Sequence, residues 1–291
     1  MTRSAAARWL LLATLWSLQY IFMRVAVPVF GAPLVAECRS LFATMFIVPW
    51  VVFVMRDEIR LGAHWRDHLA VGVVNNVLPF VCLAYASGVL PASYLAVMSG
   101  MVPLWAAVMS TLVLKEPFSV RRIAGFVLGI AGVALIVKLG PIPLDARAVV
   151  GVLVAMLGAF FWGWAGVIIR QRSGRVPPMS LAAGSVIFCM LILSPAWATV
   201  PPPSTWTPAA IAALLAVGVL VSGLAYLPFF TLVRDIGPTR TLTVGLAVPV
   251  LGIAWGWLFL GEAVTAPMLA GAALVIAALG LVMSPASGRV T

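Results

Sequence analysis

The chain has 291 residues, 63% of them hydrophobic and 9% charged, with a mean hydropathy of +1.14 and a formal net charge of +10. A soluble fold of this composition would have no polar exterior to show to water, so the sequence predicts an all-α integral membrane protein and leaves no room for a separate soluble domain. The excess of basic residues follows loop positions and not a single face, which argues against a nucleic-acid partner and for a bilayer.

Crossing the hydrocarbon takes about 20 apolar residues as a helix, with every backbone group bonded inside the segment. The predicted helices, in chain order, cover 6–27, 32–55, 68–89, 91–114, 121–139, 147–169, 178–199, 208–232, 239–260 and 266–284. Arg3 and Arg8 ahead of the first apolar run resemble a secretory signal, but no small-residue cleavage site follows, and a retained helix is expected. That helix carries Trp16, Gln19 and Tyr20 near its middle. Polar groups in a membrane helix are costly unless they meet a cavity or a partner, which makes them candidates for binding or for interhelical bonds. On the same ground the third helix offers Asn75 and Asn76, the fourth Ser99, the sixth Trp162, the seventh Ser185, and the eighth Ser222 and Tyr226. Asn75 and Asn76 point about 100° apart on an α-helix, so one can face substrate while the other bonds a neighbouring helix.

The second helix holds Glu37, the sole carboxylate within a span, and Arg39. Two residues apart, they do not face each other, and each needs another partner. Both are candidates for gating or ion coupling. With Glu37 the only titratable carboxylate available within a span, facilitated, gradient-driven movement or weak coupling is the expected mode. Pro79, Pro103, Pro228 and Pro249 fall inside spans, where a missing N–H kinks a helix for packing or for gating. Gly125 and Gly129 in the fifth helix, and Ala273 and Ala277 in the tenth, permit close packing, within one chain or in a dimer. Of the eleven tryptophans, Trp9, Trp50, Trp65, Trp197 and Trp206 suit the interfacial belt; Trp16, Trp105, Trp162, Trp164, Trp255 and Trp257 are expected deeper. His64 and His68, four apart in the loop after the second span, lack a third ligand, and Cys38, Cys82 and Cys189 lie in three different spans. Neither a metal site, nor a cofactor, nor a disulfide is expected.

With the N-terminus inside, 14 of the 18 basic residues fall in cytoplasmic segments, including Arg56, Arg60, Arg66, Lys115, Arg121, Arg122, Arg170, Arg172, Arg175, Arg234, Arg240 and Arg289. The positive-inside rule then puts both termini in the cytoplasm. Turn chemistry at Gly31–Pro33, Gly140–Pro143, Pro201–Pro203 and Gly237–Pro238 joins the helices.

The chain repeats at an offset of 146 residues: Trp16 maps onto Trp162, Arg24 onto Arg170, Gly72 onto Gly218, Pro103 onto Pro249 and Glu116 onto Glu262. Five spans per half force the halves into the bilayer in opposite directions, giving two inverted repeats, 1–143 and 144–291. This is one plan of secondary transporters. Gln19, Asn75 and Asn76 map onto Ala165, Val221 and Ser222, so the site should be polar mainly on its first-half side.

The run Leu114-Lys115-Glu116-Pro117-Phe118-Ser119, followed by Arg122-Ile123-Ala124-Gly125 and echoed by Leu260-Gly261-Glu262-Ala263-Val264-Thr265 and Leu269-Ala270-Gly271, resembles the EamA-type repeat of the drug/metabolite transporter superfamily. Lys115 departs from the glycine usual there. Trp16-Ser17, Arg39 and Trp162-Gly163 also look like the family pattern. Within the superfamily the chain is most similar to bacterial YddG-type exporters of aromatic and other amino acids. The resemblance implies a ten-helix carrier whose pathway is built by helices one to four and six to nine, with five and ten peripheral, and makes Arg39 a carboxylate anchor or gate. The expected function is export of amino acids or related small metabolites by alternating access. A passive channel and an exporter of other drugs or metabolites stay open. The absence of a GxxxxGK[ST] loop argues against an ATP-driven pump, and an intramembrane enzyme is not expected from spans whose interiors hold no histidine and one glutamate.

Overall fold

The computed structural model describes residues 2–116, 120–139, 145–172, 174–201, 205–237, 241 and 243–283. Pro117 to Ser119 of the first motif, the turn Gly140–Pro143 with the repeat boundary near it, Pro202, Pro203, Pro238, Arg240 and Arg289 lie outside the described residues. Ten apolar helical segments follow in order: α1 Arg3–Phe30, α2 Ala32–Val54, α3 Trp65–Ser87, α4 Ala92–Leu114, α5 Val120–Leu139, α6 Ala146–Arg172, α7 Pro178–Thr199, α8 Pro208–Ile236, α9 Val244–Leu260 and α10 Ala266–Met283. Nine of these, among the described residues, are long and apolar enough to cross a bilayer, and α9 is a shorter apolar helix. The chain is a multi-pass membrane protein.

Local chemistry sets the ends. Thr2 and Thr207 cap α1 and α8 by accepting from the N–H of Ala5 and Ala210, and Asp145 Oδ1 does so for Ala148 at 2.7 Å. Gly31, at φ +76°, stops α1. At the ends of α4 and α9 the repeat mates Lys115 and Gly261 adopt the same left-handed backbone, φ 55° and 62°. Lysine therefore fills a position where a Cβ costs about 1–2 kcal/mol.

α5 and α10 pack on each other. A Cβ at Gly132 would come 2.7 Å from Gly271 O, and one at Gly125 would come 2.6 Å from Val282 Cγ2. Gly129 turns instead to Leu104 and Met101 of α4, so both glycines of that motif are used within the chain. The halves interlock through two related contacts. Gly72 of α3 meets Ser185 O and Phe188 of α7, and Gly218 of α8 meets Phe42 of α2; Phe42 and Phe188 are themselves 146 residues apart. α4 and α9 cross closely at Ala96 against Gly252 and Gly100 against Pro249.

Two sequence expectations give way. Trp257, expected deep, is 62% exposed on the bundle surface, because neighbouring Gly256 turns its own side to Ser93 and Glu262. His68, expected in a solvated or interfacial role in the loop after the second span, is fully buried: α3 starts at Trp65, and the ring packs on Gly184 with Nε2 at 3.0 Å from Ile59 O.

Candidate substrate site

Irregular backbone builds the centre of the bundle. α3 widens to a π-helix at Gly72–Val77 and α8 at Ala216–Leu224, equivalent places in the two halves. Such π segments cluster at functional sites. Each is followed by a proline, Pro79 or Pro228, that withholds a backbone donor. Pro79 removes the N–H that Asn75 O would use in an α-helix, and Trp162 Nε1 donates to that carbonyl at 3.0 Å. α4 is interrupted by a turn at Gly100–Met101, and Pro103 withholds the donor for Ser99 O. α9, by contrast, runs unbroken through the repeat-related Pro249. Of the four prolines, three adjoin a helix irregularity and the fourth does not.

Arg39 of α2 is the charged centre of the site, 4% exposed. Its Nε donates to Ser222 Oγ at 2.6 Å and its Nη2 to Gln19 Oε1 at 3.1 Å. The guanidinium lies 3.9 Å over the Phe80 ring. Nη1 is buried and has no hydrogen-bond partner. No carboxylate among the described residues forms an ion pair with Arg39. Gln19 is held in turn by Nε2 donation to Trp16 O at 3.0 Å, and Ser222 by donation to Val217 O at 3.0 Å. Tyr20 and Tyr226 stand close enough to sense the Arg39 charge.

Beside this group lies a cavity of about 10 Å³ lined by Tyr20, Ser99, Trp162 and Pro79, with Leu83, Met98 and Gly158 among the apolar walls. That is room for about one water and far too little for a metabolite. Asn75 Nδ2 donates to Asn76 Oδ1 at 2.9 Å, and Asn76 Nδ2 to Ser185 Oγ at 3.0 Å, so Asn76 is the amide that ties α3 to α7. The structure thus unites Gln19, Arg39 and Ser222 directly, sets Tyr20, Ser99 and Trp162 around the small cavity, and leaves Asn75 and Asn76 on the flank. Glu37 is apart from Arg39: Oε1 accepts from Trp197 Nε1 at 3.3 Å, and Oε2 is buried without a partner. Sequence reasoning did not find Phe80 under the guanidinium, the Trp255 Nε1 to Ser17 Oγ bond at 2.9 Å, or the π segments of α3 and α8. The matched Gly72 and Gly218 were the available signal for the last.

Fold and site together define a polytopic membrane protein with a buried, polar, cationic centre between its helices, the class to which small-molecule carriers belong. The chain belongs to the EamA-like transporter family, whose profile matches twice, at residues 4–138 and 149–284. Members of this family are transporters and not enzymes. Similar proteins include the "Uncharacterized transporter YvbV" of Bacillus subtilis, 28% identical over 93% of this chain and 88% of that protein. The "Probable amino-acid metabolite efflux pump" of Salmonella typhimurium is 24% identical over 96% of this chain and 94% of its own length. A solved crystal structure superposes with a TM-score of 0.63 over 97% of this chain and 96% of that one, at 19% identity, which speaks for the fold alone.

Proposed function

We propose that the protein exports amino acids, aromatic and other neutral ones foremost, across the bacterial inner membrane by alternating access of two inverted repeats. The observation that carries this reading is the Arg39 guanidinium, buried, without a counter-ion and with Nη1 unpartnered. A buried charge lacking its partner is strongly unfavourable, and a substrate carboxylate at Nη1 supplies that partner. Phe80, Tyr20 and Trp162 offer flat apolar surface to the side chain. The ammonium finds acceptors in hydroxyls and in the Ser99 carbonyl left by Pro103.

Inversion is supported by contacts between the halves. α1 begins at the end where Arg8 meets Asp235, whereas α6 begins at the opposite end, with Gly151 against Val89 and Leu90, and finishes with Arg172 on Asp67. The arginine-rich end is assigned to the cytoplasm. A closed centre of about 10 Å³ favours a carrier over an open channel, because substrate enters only when helices move. Arg39, Gln19 and Ser222 bind, and Tyr20, Ser99, Trp162, Asn75 and Tyr226 shape the pocket as it opens.

Counterflow in proteoliposomes tests the reading. External phenylalanine should accelerate exit of labelled internal phenylalanine with saturating dependence, and competition by the twenty amino acids ranks the substrates. Non-saturating flux without trans-stimulation would identify a channel, and absence of flux for every amino acid would remove the substrate assignment.

A further inference from the structure

Every ion pair among the described residues lies at one end of the bundle, the arginine-rich end. One of them sits at a repeated position. Glu116, just beyond α4, accepts from Arg170 of α6 at 2.7 Å and from Arg122 of α5 at 3.0 Å. The residues 146 positions from Glu116 and from Arg170 are Glu262, just beyond α9, and Arg24 of α1. These two form no ion pair. Arg24 Nη1 donates to Ser87 O at 2.9 Å, and Glu262 accepts the N–H groups of Ala92 and Ser93 at 2.7 and 2.9 Å, together with the Ser93 hydroxyl. Both line a cavity of about 560 Å³, with Pro28, Gly88, Pro91 and Leu260. Three donors occupy the Glu262 carboxylate, which has about four lone-pair sites, and Arg24 carries five donors. Each residue therefore has capacity for the other without giving up its present bonds.

In a carrier made of two copies of one fold, a contact made in one copy in the first state belongs to the other copy in the opposite state. We propose that the two Arg–Glu sets are reciprocal latches. Glu116–Arg170 holds the arginine-rich end shut, as seen here. In the opposite conformation Arg24 crosses the 560 Å³ cavity to Glu262 while Arg170 leaves Glu116. Arg122 has Met268 as its repeat mate, so the arginine-rich latch has a second cation that the other lacks, which favours the state with that end closed. This inference rests on the alternating-access reading above.

The test uses Leu260→Cys, on the cavity wall, in protein reconstituted in nanodiscs so that both faces are reachable. Maleimide labelling at residue 260 is read by mass spectrometry, which lets the buried native cysteines remain. Arg170→Gln and, independently, Glu116→Gln should each slow labelling, by up to about fivefold for loss of a partly exposed pair, as the cavity closes more often. Arg24→Gln should keep labelling fast and abolish the slowing when combined with Arg170→Gln. Wild-type labelling rates in all of these, with trans-stimulated exchange intact, would overturn the latches and leave alternating access standing. Absence of trans-stimulation in the unsubstituted protein would overturn the reading beneath both.

Discussion

Replacing Arg39 by methionine tests the site most directly, because binding and stability should move apart. A substrate carboxylate at Nη1 makes one to two charge-assisted hydrogen bonds, each worth about 1.5–3 kcal/mol. The expected loss is about 2–4 kcal/mol, a roughly 30- to 1000-fold rise in the KM for exchange. The empty protein behaves differently. Methionine gives up the bonds to Ser222 and Gln19, about 1 kcal/mol each, but it also removes a buried charge that no carboxylate balances. Net stability should therefore change by less than about 2 kcal/mol in either direction. The assay pairs counterflow in proteoliposomes with thermal unfolding of the purified protein. Arg39→Lys, which keeps the charge without the planar fork, should fall between the two. A KM within about threefold of wild type would refute the anchor, since that corresponds to under ~1 kcal/mol. A large fall in unfolding temperature with transport loss in proportion to folded protein would make Arg39 structural.

Glu37→Gln should leave exchange unchanged and insensitive to an imposed pH gradient; loss of gradient-driven transport alone, with exchange intact, would identify Glu37 as the coupling group. Gly218→Ala should destabilise by about 1–3 kcal/mol, read by thermal unfolding, because its Cβ would lie 2.6 Å from Phe42 Cβ, whereas Gly166→Ala, with open space around it, should not. Lys115→Gly should raise stability by about 1 kcal/mol by relieving the left-handed backbone at φ 55°. The hydrogen bond from Arg170, with Arg122 beside it, holds the Glu116 carboxyl below the usual carboxylate value. A lowered folded-state pKa means that this stabilisation is complete above the ordinary value and is lost as pH falls through the lowered one. Labelling at residue 260, divided at each pH by that of a fully exposed cysteine so that the thiolate fraction cancels, should consequently be flat between about pH 5.5 and 8 and change only in more acid solution.

Composition and helix-length apolar runs were enough to specify a helical membrane protein, and rare residues at a fixed offset exposed the repeat. Trp16, Arg24, Gly72 and Glu116 could be matched to their mates because such types seldom coincide by chance in an apolar chain. Boundaries followed from apolar run length and from Gly and Pro, whose preferences are local. The polar candidates were also visible, since a buried polar group stands out against alanine, leucine and valine.

Which of those candidates meet was decided only by tertiary structure. In a soluble helix an apolar stripe marks the inward face, but lipid is as apolar as a packed core, so a membrane helix carries no such mark. Nothing in the order of residues says that Arg39 turns to Gln19, Ser222 and Phe80 while Glu37, two positions earlier, turns to Trp197. Nor does it say that α3 and α8 widen to π-helix, that α4 breaks while α9 continues through its matched proline, or that Trp257 faces outward. Those outcomes depend on which helix packs where, and so on contacts between residues far apart in the chain.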